Sequence, residues 1–108
     1  LKLNTLVNNS LEIDLSDSKT TFTVTLSQPT SNFSVLNASG NDKKSQTFQV
    51  FIKQGTGANK ISWPTNILWS YGRVPVLTFT KDSTDVFQFV TVDGGSTWYG
   101  SLLMADMK

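Results

Sequence analysis

The sequence contains neither histidine nor cysteine, so its candidate chemistry centres on carboxylates, hydroxyls and aromatic rings. That composition removes the usual general base near neutrality, the Ser-His and Cys-His nucleophile pairs and the commonest metal ligands. A pair drawn from Glu12, Asp14, Asp17, Asp82, Asp85, Asp93 and Asp106 keeps acid/base glycoside hydrolysis open to the inventory. Asp82 and Asp85 flank a short Ser-Thr connection and could offer oxygens to calcium, but Asp and Ser are ordinary turn formers and the spacing has no EF-hand character. Gly55-Thr56-Gly57 and Gly94-Gly95 open no helical pattern and no Gly-Lys-Ser/Thr follows, so they read as turns rather than phosphate cradles. The expectation is a non-enzymatic protein with no catalytic residues, no cofactor and no metal.

The aromatic residues say more. Trp63, Trp69, Trp98, Tyr71 and Tyr99 can stack on sugar rings, anchor a protein interface or fill a small core. Trp63 and Trp98 fall in strand-like segments, where packing is the better explanation. Trp69 and Tyr71 fall between Pro64 and Pro75, a connection too long for a plain turn, and long loops often carry binding groups. Asn66, Trp69, Tyr71 and Arg73 are therefore the candidate contact surface, against the alternative that Trp69 folds back as a lid over an open end of the fold.

The elements that must position these residues are strands. Phe22, Val24 and Leu26 alternate with Thr21, Thr23 and Thr25, and Leu11, Ile13 and Leu15 alternate with Glu12 and Asp14. A weaker strand follows Pro29 over 32–36, and residues 37–45, with little to bury, read as a loop. Residues 47–54 place Phe48, Val50 and Ile52 on one face, and a tight connection over 55–59 predicts a hairpin to 60–63. Strands are also expected over 74–80 and 85–93, the latter central because it is apolar on both faces. Asp93-Gly94-Gly95-Ser96 then predicts a hairpin to 97–104. No helix is expected, and the sum is an all-β antiparallel β-sandwich, jelly-roll-like, of about eight short strands.

The chain has 108 residues, enough for a single domain over 1–108. A net charge of +1 gives no electrostatic case for nucleic acid or an anionic membrane. No apolar run is long enough to cross a bilayer and no signal peptide is evident, so the chain reads as soluble. Without cysteine its stability must come from burial or from subunit association. A first residue of Leu rather than Met leads to the expectation of a module from a larger protein.

The ordered set Ile61-Ser62-Trp63-Pro64, Ile67-Leu68-Trp69, Gly72, Pro75-Val76-Leu77-Thr78, Asp85-Val86-Phe87 and Asp93-Gly94-Gly95-Ser96-Thr97-Trp98-Tyr99-Gly100 resembles the recurrent C-terminal domain of tailed-phage tail fibres and other tail structural proteins. The likeness runs over roughly half the chain, and the set is more specific than any single motif in it. It implies a β-sandwich with a structural or adhesion role on a virion tail, and carries no catalytic residues. The partners it implies are other virion proteins or a host-surface glycan or receptor, and a fibre setting implies a homo-oligomer such as a trimer. The alternative is a carbohydrate-binding module appended to an enzyme.

Overall fold

The computed structural model describes residues 2–4, 10–15, 21–36, 38 and 45–107. Strands dominate, as the alternating apolar pattern predicts. The loop expected over 37–45 lies outside the described residues apart from Ala38 and Ser45.

Among the described residues nine segments with strand geometry follow in order: β1 (Lys2–Asn4), β2 (Ser10–Asp14), β3 (Thr21–Leu26), β4 (Thr30–Leu36), β5 (Gln46–Gln54), β6 (Lys60–Ser62), β7 (Ile67–Trp69), β8 (Thr84–Thr91) and β9 (Trp98–Met107). They build a six-stranded sheet in the order β1-β3-β5-β8-β9-β7 and a three-stranded sheet in the order β2-β4-β6. The first six strands alternate between the sheets, so neighbours within a sheet are two apart in sequence and run the same way. Lys2 pairs with Phe22 and Phe22 with Val50 in one sheet, while Ser10 pairs with Asn32 and Asn32 with Ser62 in the other.

This corrects the expected antiparallel, jelly-roll-like sandwich. One sheet is mixed and the other is parallel. The expected hairpin across 55–59 is also corrected, because β6 leaves its predecessor and joins β4 in the opposite sheet. A corner built from amides makes that crossing. The buried Gln54 side chain donates from Nε2 to the Asn59 carbonyl at 2.9 Å and accepts from the Asn59 N–H at 2.7 Å. The Asn59 side chain then accepts from the Gly57 N–H at 3.1 Å and donates to the Gln28 carbonyl at 2.7 Å, tying this corner to the one before β4. Each buried amide group is satisfied, which is the condition for placing polar side chains there at all.

The hairpin between β8 and β9 forms as expected, and β8 is central, between β5 and β9. The turn is held by polar groups. Thr91 Oγ1 lies 2.8 Å from Asp93 Oδ1 and accepts from the Gly95 N–H at 3.0 Å, while the Thr97 N–H donates to Asp93 Oδ1 at 3.1 Å.

The core lies between the sheets. Leu11, Ile13 and Phe33 come from one, and Phe22, Val24, Phe48, Val50, Phe87, Phe89 and Trp98 from the other, all buried. Its centre is aromatic: Phe48 stacks on Phe89 at 5.2 Å and meets the edge of Trp98 at 5.0 Å, and Phe33 joins Phe89 to Trp63 at 5.3 and 4.9 Å. Rings at these separations add attraction beyond the area they bury. No helix among the described residues is long and apolar enough to cross a membrane.

Candidate interaction surface

The segment 64–75 is neither a plain loop nor a free one. Residues Ile67–Trp69 pair in parallel with β9, Ile67 opposite Trp98 and Trp69 opposite Gly100. Sequence reading missed this strand because three residues give no measurable period. A 3-10 turn, Ser70–Gly72, follows and is closed by the Arg73 N–H donating to the Ser70 carbonyl at 3.1 Å.

The four candidate contact residues are divided by this geometry. Trp69 is partly buried, with its ring 5.1 Å from Trp63, 5.8 Å from Phe89 and 6.0 Å from Phe87. It lies directly over Gly100: a Cβ built there would sit 2.8 Å from Trp69 Cζ3 and 3.0 Å from Phe89 Cε1. Trp69 thus anchors the segment. Tyr71 points the other way, 97% exposed, and its backbone is left-handed at φ 57°. That conformation is costly for a tyrosine and unusual at a position that packs against nothing.

Arg73 is exposed beside it. Asn66, also exposed, is held to the β8–β9 turn, with Nδ2 3.4 Å from the Ser96 carbonyl and its own carbonyl accepting the Trp98 N–H at 2.9 Å. Asn66, Tyr71 and Arg73 are therefore displayed from a segment fastened to the sheet through Trp69 and Ile67.

Residues 74–79 hold the feature that sequence reading placed wrongly. They were expected to form a strand, but they are extended without a ladder. Pro75 supplies no N–H, and apolar residues stand at both parities, Val74 and Val76 against Leu77 and Phe79, so no single face can be buried. Two hydrogen bonds fix the segment: the Ala58 N–H donates to the Phe79 carbonyl at 2.8 Å, and the Thr78 N–H donates to Asp85 Oδ2 at 2.7 Å. Between it and β6 lies a groove of about 430 Å³ lined by Ile61, Trp63, Val74, Val76, Leu77 and Phe79 among others. Leu77 packs inward, while Val76 and Phe79 are 85% and 72% exposed.

The carboxylates of Asp85 and Asp93 are engaged with the chain's own backbone and turn groups. Asp85, 2% exposed, places Oδ1 on the Asp106 N–H at 2.9 Å and Oδ2 on the Thr78 N–H, so both its oxygens serve the backbone. Asp82 sits in a turn at φ 69°, its N–H donating to the Gln54 carbonyl at 2.7 Å. Asp82 thus takes a turn position, whereas Asp85 lies in β8 and ties the amides of two other segments; no group of three or more metal-binding side chains occurs among the described residues. Asp17 lies outside them. Asp93 is held below the usual carboxylate range, chiefly by the Thr91 hydroxyl and then by the Thr97 N–H, against a small opposing effect of burial and with help from the Ser96 and Gly95 N–H groups.

No family model, no curated protein and no solved structure matches the chain.

Proposed function

We propose that this chain is a non-enzymatic structural and adhesion domain of a bacteriophage tail or tail fibre, displaying one end of its fold for contact with a host-surface receptor or a neighbouring virion protein. The observation that carries this reading is Tyr71, an aromatic side chain almost wholly in solvent on a left-handed backbone, flanked by exposed Arg73 and anchored by Trp69. A rigid scaffold presenting one adaptable aromatic and one cation is the arrangement binding surfaces use repeatedly. The resemblance of the region from about 47 to 100 to phage tail domains supports the virion setting. Many copies on one particle would gain avidity from contacts that are individually weak.

The test is binding of the fluorescently labelled domain to host cells and to disrupted tails, for the natural chain and for Tyr71→Ala. The proposal requires a loss of at least about tenfold in affinity on one of these targets, of the size a single aromatic anchor contributes, with an unchanged melting temperature. Equal binding by both proteins would remove this loop from the contact.

A further inference from the structure

We infer that Asp93-Gly94 is a backbone-modification site, converting to isoaspartate once it is released, and that the β8–β9 turn holds the reaction off by pinning the Asp93 carboxylate through Thr91 and Thr97. The chemistry is that of the turn alone and stands whether or not the domain belongs to a virion.

The sequence supplies the reactive pair. Of the aspartates and asparagines in the chain, Asp93 alone is followed by glycine. A main-chain nitrogen attacks the preceding aspartyl side chain most readily when its own residue has no Cβ to crowd the approach and keeps the widest choice of φ and ψ. In that step the Gly94 nitrogen bonds to Asp93 Cγ, and its proton leaves with the hydroxyl of the neutral carboxyl group as water, closing a five-membered succinimide. Solvent water then adds to the main-chain carbonyl carbon of Asp93 and breaks the bond from that carbon to the Gly94 nitrogen. The chain now runs through Cβ and Cγ, one methylene longer, with the former main-chain carbonyl as a free carboxylate and no net change of mass.

The structure opposes the ring closure at each of its requirements. Asp93 Oδ1 accepts from the Thr97 N–H at 3.1 Å and lies 2.8 Å from Thr91 Oγ1, so a rotation that swings Cγ onto the Gly94 nitrogen must break both contacts. Both favour the ionised carboxylate, which has no hydroxyl to expel, and they hold Asp93 below the usual carboxylate range, Thr91 contributing most. Thr91 is itself fixed: fully buried, it lies 2.7 Å from the Thr97 carbonyl and accepts from the Gly95 N–H at 3.0 Å. The attacking residue is no freer. Gly94 is buried with φ 79°, and a Cβ built on the next residue, Gly95, would sit 2.5 Å from the Cβ of Ala38, so the turn is packed closely from behind.

The site also lies where the segment 64–75 is attached. The Trp98 N–H donates to the Asn66 carbonyl at 2.9 Å, and Asn66 Nδ2 is 3.4 Å from the Ser96 carbonyl. An extra methylene at residue 93 changes the spacing between Thr91 and Thr97 on which this turn depends, beside the segment that displays Tyr71.

The experiment is incubation of the full chain at neutral pH and physiological temperature, with isoaspartate at residue 93 quantified by peptide mapping and fragmentation mass spectrometry. The samples are the natural chain folded and in urea, and folded Thr91→Val and Thr91→Ser; circular dichroism verifies folding, and Thr91→Ala replaces Thr91→Val if that variant does not fold. The folded natural chain should convert at least about tenfold more slowly than the same chain in urea, the factor that one hydrogen bond to a charged group corresponds to. Thr91→Val should convert faster than the natural chain by a similar factor, while Thr91→Ser, which keeps the hydroxyl, should stay close to it. A folded natural chain that converts as fast as the unfolded one overturns the inference. So does a folded Thr91→Val or Thr91→Ala that converts no faster than the natural chain, or another aspartate that converts faster than Asp93 in urea.

Discussion

Gly100 sets how closely Trp69 can approach the sheet. With a Cβ at that position only 2.8 Å from the indole and 3.0 Å from Phe89, Gly100→Ala must push both rings, and overpacking of this kind costs about 1–3 kcal/mol. Trp69→Ala removes the anchor itself and should cost about 3 kcal/mol, near the lower end for deleting a large aromatic because the ring is only partly buried. Tyr71→Ala, two residues away, should change stability by no more than about 0.5 kcal/mol. Urea denaturation of the three variants tests this ordering, and a cost for Tyr71→Ala comparable to that for Trp69→Ala would refute it. The same division marks what could be read from the sequence: aromatic character singled out the segment 64–75, but which ring faces inward depends on Gly100 and Phe89, brought alongside by pairing that no local pattern encodes.

Asp93 gives a pH test at the same scale. Its folded-state pKa lies below its usual value of 3.8, so the unfolded chain binds more protons in that window and stability rises with pH through it. The contribution is fully present above the unfolded pKa and is lost as pH falls through the lower, folded one. Asp93→Asn should therefore be less stable than the natural chain at neutral pH, and the difference should shrink on acidification below 3.8. Thermal melts across that range measure it; a difference that grows as pH falls would contradict the assignment.

At the scale of elements, the segment 74–79 is held where it is by Asp85. Asparagine there keeps one acceptor oxygen but aims an NH₂ group at a backbone N–H, leaving the amide of Thr78 or Asp106 without a partner. Asp85→Asn should cost about 1–3 kcal/mol. It should also speed hydrogen exchange at Thr78 or Asp106 relative to the amides of β5, and unchanged exchange at both would contradict this role. The strands themselves were legible: alternation found β3 and β5 and the apolar run found β8, because burial of one face or both follows directly from side-chain order. Pairing direction was not legible. Phe22, Val24 and Leu26 would point inward whether the neighbour ran parallel or antiparallel, and the choice is made by the crossings after Leu26 and at the Gln54–Asn59 corner, each of which sends the chain into the opposite sheet. The two short strands β1 and β7 carry too few residues to show a period.

At the scale of the molecule, two sheets enclose an aromatic core and leave one end with exposed Tyr71 and Arg73 and a groove with exposed Val76 and Phe79. Trp69 and Asp85 each fix an exposed segment of this framework to a buried ring or strand. The proposed virion setting is tested most directly by gold labelling of intact phage particles with antibody against the purified chain. Label at the tail or its fibres is the predicted result. Particles that bind no antibody, although the antibody recognises the folded chain in solution, would contradict it.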